Sequence, residues 1–176
     1  MKKMFIIILI VGSIFLLNPI LHADEQREYL SPDGNYHAYV ISLPKSHYGS
    51  GESRIDLRSA NGALLLSKSY GSEDGEHGFG VERAAWTPDS RYFVYSMSSS
   101  GGHQSWHFPT YFIATHDFKL HDLDDYLGLI TTPDFKLTPP DIIQVVGHSI
   151  ADLEKEVDFK VTLSDLIKKT PNKSYL

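Results

Sequence analysis

The stretch of sequence that decides the fold occurs twice, as SPDGNYHAYV at residues 31–40 and TPDSRYFVYS at residues 87–96. Proline, aspartate and two tyrosines recur at matched positions. In such a segment proline fixes φ in a tight turn, aspartate accepts from backbone N–H groups ahead of it, and glycine takes the left-handed position. Each copy therefore predicts a turn that opens a β-strand. The second turn should be more strained or differently shaped, because Ser90 replaces the glycine.

The strands that follow these turns carry rather apolar side chains on both faces. In the first copy Tyr36 and Val40 share one face, while Tyr39 and Ile41 share the other. This pattern is typical of a strand in a sheet that packs between two neighbours.

The rest of the chain also indicates β structure, with little helical signal. Aromatic and β-branched residues bounded by turn residues predict strands, and Asn61-Gly62 is a favoured hairpin turn because both residues tolerate positive φ. Ser164 is positioned to cap a short helix. The predicted elements are strands at 35–43, 54–57, 63–67, 91–98, 110–114, 118–120, 142–146 and 157–163, one helical turn at 122–127, a C-terminal helix at 164–169 and a loop at 152–157.

The two turn segments resemble a known repeat. Ser31-Pro32-Asp33-Gly34 and Trp86-Thr87-Pro88-Asp89 are similar to the Pro-Asp (WD-like) repeat of β-propellers, the type found in the periplasmic Tol translocation propeller. In that family each motif joins two strands of a four-stranded blade. The resemblance implies a scaffold that binds proteins or small ligands, and it carries no shared catalytic residues. Thr132-Pro133-Asp134-Phe135 is interpreted as a degenerate third copy.

The length of the chain limits how many blades it can form. A propeller has about 4–8 blades of about 40–45 residues each, so this chain holds roughly three. We expect an all-β domain in which two or three blade-like antiparallel sheets pack as a compact incomplete propeller or sandwich, with a short C-terminal helix. The alternative is that protomers associate to cover the open edges.

The first 23 residues have the features of a secretory signal peptide. Lys2 and Lys3 precede an apolar run over residues 4–21, and Ala23 is a small residue before the acidic Asp24. We therefore expect residues 1–23 to be removed and residues 24–176 to form a single β domain in the periplasm or outside the cell. The alternative is that the segment stays as an N-terminal anchor, which would also place the domain outside the cytoplasm.

Composition excludes several classes of protein. The chain has no cysteine and carries 22 Asp and Glu against 16 Lys and Arg. A disulfide scaffold, a thiolate nucleophile and a lipoprotein anchor are therefore ruled out. An acidic domain is a poor candidate for binding nucleic acid, and we expect no stable membrane insertion after signal cleavage. We also expect no metal and no cofactor, because no histidine or carboxylate spacing matches a metal site.

The most unusual segment is the loop at residues 98–109, where glycines precede two histidines and a tryptophan. The candidate ligand or partner contacts are His103, Gln104, Trp106 and His107. Trp106 offers a stacking face, and the other three offer hydrogen bonds. The alternative is a long connection in which Trp106 plugs the edge of the core.

No catalytic signature accompanies this loop, since the chain lacks a G-x-S-x-G elbow. We therefore expect a non-catalytic binding or interaction module of the bacterial cell envelope, whose partner is an envelope protein or a small ligand. The alternative is a small envelope hydrolase that uses His103 or His107.

Overall fold

The computed structural model describes residues 25–43 and 51–169, in which eleven strands form three antiparallel sheets. Each sheet is a meander, so neighbouring strands are also consecutive in sequence. We name the sheets blade 1 (β1–β4), blade 2 (β5–β8) and blade 3 (β9–β11). The strands are β1 Gln26–Leu30, β2 Tyr36–Ser42, β3 Ser53–Ser59, β4 Leu64–Ser69, β5 Phe79–Trp86, β6 Tyr92–Ser99, β7 Thr110–Ala114, β8 Leu120–Asp122, β9 Ile130–Thr138, β10 Ile142–Ser149 and β11 Asp152–Thr162.

The predicted all-β architecture of blade-like sheets is confirmed. Three strands, β1, β5 and β9, were not predicted from the sequence. The segment at 152–157, predicted as a loop, belongs to β11, where it pairs with β10. The predicted signal segment at residues 1–23 lies outside the described residues.

The two helices are single turns, α1 at Asp124–Leu127 and α2 at Leu163–Leu166. The predicted C-terminal helix is therefore shorter than expected, and Ser164 lies within it rather than capping it. Its first backbone N–H groups bond to Asp141, whose carbonyl accepts from Leu163 N at 3.0 Å and whose carboxylate accepts from Ser164 N at 2.9 Å. No helix in the described ranges is both long and apolar enough to cross a membrane.

The three blades pack face to face and form two apolar layers. The layer between blades 1 and 2 is built around Ile55, Leu57, Phe93 and Tyr95. The layer between blades 2 and 3 has its own set of buried residues: Tyr92, Val94, Phe112, Ile130, Phe135, Ile143, Val145 and Leu163. Because successive side chains of a strand point to opposite faces, β6 supplies residues to both layers.

The two Pro-Asp turns are equivalent bond for bond. The Ser31 hydroxyl donates to the Asp33 carboxylate at 2.6 Å and accepts from Tyr36 N at 3.0 Å. In the second turn the Thr87 hydroxyl donates to the Asp89 carboxylate at 2.7 Å and accepts from the backbone N–H of the residue five positions ahead at 3.1 Å. Each turn joins the first and second strands of its blade, as the resemblance implied.

Ser90 departs from the glycine of the first copy for a physical reason. It adopts a left-handed φ of +63°, where Gly34 has +73°, and this conformation is costly for a residue with a Cβ. Its hydroxyl accepts a hydrogen bond at 3.0 Å from the backbone N–H of Asp33, which lies in the preceding turn. The serine therefore links the two turns, a contact that glycine could not make.

The third copy of the repeat was assigned to the wrong segment. Thr132, Pro133 and Asp134 lie inside β9, an edge strand, where proline is tolerated because no partner needs its N–H. The turn that corresponds to the first two joins β9 to β10 and consists of Pro139, Pro140 and Asp141.

Candidate functional site

The connections between strands alternate between two ends of the blade stack. The Pro-Asp turns lie at one end, which we call the turn end. Four other connections lie at the opposite end, because one strand separates each of them from the preceding turn. They are the segments at 51–52, 70–78, 100–109 and 123–129. We call this second group the loop end, and it carries all four candidate contact residues.

Trp106 lies on the surface of the loop end. Its side chain is 56% exposed, so the indole does not plug the core. The ring stacks on the imidazole of His107, with centroids 5.7 Å apart and planes inclined by 27°. An exposed indole thus rests on a second ring that is itself only 15% exposed.

His107 is held in turn by a carboxylate of the next loop. Its Nε2 lies 2.5 Å from Oδ2 of Asp124, the first residue of α1. Burial raises the pKa of the Asp124 carboxyl, and the hydrogen bond from His107 partly opposes that change. The carboxylate fixes the orientation of the imidazole, and the imidazole supports the indole above it.

A second group of buried and half-buried polar residues continues from Asp124 into the layer between blades 1 and 2. The backbone N–H of Asp124 donates to Asp122 Oδ1 at 3.0 Å, and Asp122 lies opposite Tyr111 in the β7–β8 pair. The Tyr111 ring stacks on Tyr95 at 5.8 Å, and the Tyr95 hydroxyl lies 2.5 Å from that of Tyr70. Four ionisable side chains therefore run inward from the base of the Trp106 loop.

The environment of this group shifts its proton equilibria. Burial, followed by the nearby charge of Asp124, raises the pKa of Asp122 to about 7. Burial also raises the pKa of Tyr70 to about 12 and that of Tyr95 well above its ordinary value. Asp122 is therefore partly protonated near neutral pH. Clustered groups with displaced pKa values are a recognised feature of functional sites.

The remaining two candidates lie on the exposed part of the loop. The His103 ring stacks on that of His77, with centroids 5.4 Å apart and planes inclined by 14°, and His77 Nδ1 lies 2.5 Å from Asp74 Oδ2. Gln104 has a φ of +58°, and its carbonyl accepts from the backbone N–H of His107 at 2.9 Å. The loop thus places His107 beside Trp106, whereas His103 contacts the neighbouring loop.

Sequence analysis missed Glu52, the residue that holds the loop end together. Its side chain is almost fully buried, and its carboxylate accepts from Ser72 N at 2.7 Å, Ser72 Oγ at 2.6 Å, Gly78 N at 2.8 Å and Ser100 Oγ at 3.0 Å. Burial tends to raise its pKa, but these hydrogen bonds outweigh burial and leave the pKa lowered. One carboxylate therefore joins three separate segments.

Gly78 is required by this arrangement. A Cβ at this position would collide with the Glu52 carboxylate and with the carbonyl oxygen of Tyr70. The glycine-rich run at 71–80, which the sequence suggests is a solvated loop, is thus anchored on a buried charge. Gly78 gives no local signal of this role, because its partner Glu52 is 26 residues away in the sequence.

Residues 25–43 and 51–169 contain no group of three or more His, Asp or Glu side chains placed to hold a metal ion. Three cavities have linings outside the loop at 100–109, with volumes of about 370, 210 and 310 Å³. The exposed group of the candidate site is the Trp106 ring.

Comparisons with known proteins concern the fold. No known family matches this chain, and neither does any curated protein. The chain is similar to the β-propeller domain of the Trilobed protease from Pyrococcus furiosus, described as having an open velcro topology, with a TM-score of 0.43 and 12% identity over 77% of this chain and 43% of that chain. It is also similar to puromycin hydrolase in two structures, one of them a mutant complexed with PGG, with TM-scores of 0.41 and 0.40, identities of 15% and 16%, and coverage of 74% of this chain and 21% of those chains.

The chain spans less than half the length of each of these structures. No family match supports the Tol-type repeat in particular, which stays a prediction. The three antiparallel meanders of the structure give the chain an all-β, incomplete propeller-like fold.

Proposed function

We propose that this chain is an exported binding module of the cell envelope and that the loop at 98–109 is its contact surface. The observation that carries the proposal is the position of Trp106, which is 56% exposed yet supported by the His107 ring. Tryptophan residues are enriched among the few side chains that dominate binding energy. A ring already held in place loses less conformational entropy when a partner binds.

His103 and Gln104 extend this surface on the solvent side of the loop. Both side chains are exposed, and the imidazole and amide can donate or accept hydrogen bonds. The partner is an envelope protein or a small ligand that presents a flat or apolar group to the indole and polar atoms around it.

Export rests on the N-terminal sequence. The basic Lys2-Lys3 pair, the apolar run and Ala23 favour a cleaved signal peptide. N-terminal sequencing of the protein from a fractionated cell tests this directly, and we expect it to begin at Asp24 in the soluble exported fraction. A chain that still begins at Met1 in the membrane fraction contradicts cleavage.

The contact surface is tested by photo-crosslinking in the cell that makes the protein. A photoreactive amino acid at Gln104 should capture a partner, whereas the same group at Lys119, an exposed position in the β7–β8 turn of blade 2, should not. Adding Trp106→Ala should reduce capture at Gln104 by tenfold or more, which corresponds to about 1.4 kcal/mol or more.

The matched control is Lys119→Ala, because Lys119 has an exposed side chain in the β7–β8 turn, at the opposite end of the blade stack. This variant should leave capture unchanged. Equal capture at Gln104 and Lys119, or full capture by a folded Trp106→Ala protein, would rule out the loop as the contact surface.

The His107–Asp124 pair favours a second candidate, a small envelope hydrolase. A histidine oriented by a carboxylate is the arrangement that general-base catalysis requires. If the pair is catalytic, Asp124→Asn should abolish hydrolysis of simple esters or peptides by the purified protein, while Trp106→Phe retains it. Absence of hydrolysis by the wild type across such substrates excludes this candidate and leaves the binding module.

A further inference from the structure

The outer face of blade 1, turned away from blade 2, is an ordered grid of side chains. Strand register places the residues in three rows that cross all four strands. From the turn end to the loop end, the rows are Leu30-His37-Arg58-Leu64, Glu28-Tyr39-Asp56-Ser67 and Gln26-Ile41-Arg54-Ser69.

Two features of this grid are unusual for a face that stays in water. Leu30 and Leu64 are 57% and 52% exposed, and both lie in the row at the turn end. Glu28 makes the middle row acidic, whereas Asp56 in the same row is nearly buried and already paired with Arg54 and Arg58. The face therefore carries three bands: Leu30 and Leu64 flank His37 and Arg58 in the first, Glu28 makes the second acidic, and Arg54 makes the third basic.

The outer face of blade 3, turned away from blade 2, carries the opposite bands. Register again defines the rows, which are Thr138-Ile142-Thr162, then Lys136-Gln144-Lys160, then Val146-Asp158. Counted from the turn end, the first row is uncharged, the second is basic and the third is acidic.

The repeat shows which face of blade 2 is equivalent to the outer face of blade 1. His37 and Tyr39 on the outer face of blade 1 correspond in the repeat to Phe93 and Tyr95 of blade 2. Phe93 and Tyr95 pack into the layer against blade 1. In blade 2 the equivalent face packs against the preceding blade. The outer face of blade 1 is therefore the surface on which a preceding blade would pack.

We propose that two copies of this chain associate head to tail, with the outer face of blade 1 of each copy on the outer face of blade 3 of the other. Two arcs of three blades then close a ring of six blades, within the usual range of about 4–8. This proposal is independent of the proposed function, because it uses neither the loop end nor its candidate residues.

Aligning the blades at their turn ends matches the bands. Glu28 on the first strand of blade 1 faces Lys136 on the first strand of blade 3, and this pair carries the match, because Asp56 is already paired with Arg54 and Arg58 inside its own sheet. Arg54 then meets the row of Asp158, while Leu30, Leu64 and Arg58 lie against the uncharged row of Ile142. Opposite charges at matched positions also disfavour pairing of like faces.

The area of these faces favours a closed pair over an open chain. The smaller of the two faces, with the three strands of blade 3 about 4.8 Å apart and three rows about 7 Å apart, covers a patch of roughly 300 Å². One such contact buries about 600 Å² in total, the size of a crystal contact, whereas a ring closed at two contacts buries about 1,200 Å², the lower end of the range for a stable complex.

The test is the mass of the purified protein in solution, measured by sedimentation velocity over a range of concentrations. The wild type should have twice the mass of one chain. Glu28→Lys and Lys136→Glu should each weaken the dimer by tenfold or more, because each places like charges in contact at both interfaces.

An equimolar mixture of these two variants should recover the dimer. In the mixed pair one interface is Lys against Glu and the other is unchanged, so both are complementary. Lys119→Glu, a charge reversal at an exposed side chain of blade 2, should leave the dimer intact. Circular dichroism confirms that each variant is folded.

Three results would overturn the proposal. They are a wild type that stays monomeric at the highest concentrations, an oligomer that keeps growing with concentration instead of stopping at two copies, and a mixture of the two variants that stays monomeric.

Discussion

Replacing Glu52 with glutamine should loosen the loop end without changing its shape. The carboxylate accepts four hydrogen bonds, three at Oε1 and one at Oε2, which Ser72 N reaches at 2.7 Å. A glutamine oxygen can keep the three bonds from Ser72 Oγ, Gly78 and Ser100. Its NH₂ group, however, must then face the Ser72 N–H, where two donors meet.

The size of the loss follows from these contacts. A hydrogen bond to a charged group contributes about 1.5–3 kcal/mol, and the variant loses one such bond together with the charge that strengthens the others. We expect Glu52→Gln to reduce the free energy of unfolding by about 2 kcal/mol. For a domain of this size that corresponds to a fall in Tm of roughly 4–8 °C.

Denaturant unfolding at pH 7 and again below pH 4.5 measures this effect. The pKa of Glu52 is lowered from its ordinary 4.5 in the folded protein. Its contribution is therefore complete above the unfolded pKa and is lost as the pH falls through the folded pKa. The difference between wild type and Glu52→Gln should shrink as the solution is acidified.

Glu73→Gln is the control, because Glu73 is an exposed carboxylate in the same region. It should change the free energy of unfolding by less than about 0.5 kcal/mol. If Glu52→Gln is equally mild at pH 7, or if its deficit persists unchanged at low pH, the carboxylate is not the anchor of these three segments.

Two further predictions concern single residues. The pKa of Asp122 is raised from 3.8 to about 7, so the wild type should lose up to about 4 kcal/mol of stability as the pH rises from 4 to 8. Asp122→Asn should abolish most of that dependence in pH-resolved unfolding, and an unchanged slope would contradict it. Ser90→Ala should cost about 1 kcal/mol, because the bond from Asp33 N is lost while the left-handed strain remains. Ser90→Gly loses the same bond but relieves the strain, so its stability should lie within about 0.5 kcal/mol of wild type, and equal losses in the two variants would refute the role assigned to φ.

Features determined by a few consecutive residues could be predicted from the sequence. Both Pro-Asp turns and the Asn61-Gly62 hairpin form as expected, because their hydrogen bonds join residues only a few positions apart. The third turn was misplaced because Thr132-Pro133-Asp134 satisfies the same local pattern inside a strand. The helix cap was misassigned because its actual partner, Asp141, is 23 residues from Ser164.

The strands that were missed are the first strands of the three blades. β1, β5 and β9 each pair on one side only, and they carry charged residues such as Arg27, Glu82 and Lys136. Charges on edge strands prevent further pairing, and the same charges remove the alternating apolar pattern by which strands are recognised. The property that protects these edges therefore also hides them in the sequence.

The candidate site also combines residues that a local sequence pattern indicates with residues that it does not indicate. The sequence indicates Trp106 and His107 because aromatic and imidazole groups stand beside glycines in one loop. It does not indicate Asp124, Asp122 or Glu52 as their support, because those residues lie 15 or more positions away: Asp122 and Asp124 meet the loop only when β8 pairs with β7, and Glu52 meets it only when blades 1 and 2 stack.

The central position of blade 2 has a consequence for the order of folding. Each sheet pairs only consecutive strands, and such local contacts favour fast formation of individual hairpins. Among the described residues, blade 2 alone contributes to both apolar layers, so neither outer blade can bury its apolar face until blade 2 has formed. Truncating Phe93 or Phe112 should therefore slow folding, whereas truncating Leu57 in blade 1 or Ile143 in blade 3 should mainly speed unfolding. In rate measurements against denaturant, the first pair should shift the folding limb and the second pair the unfolding limb.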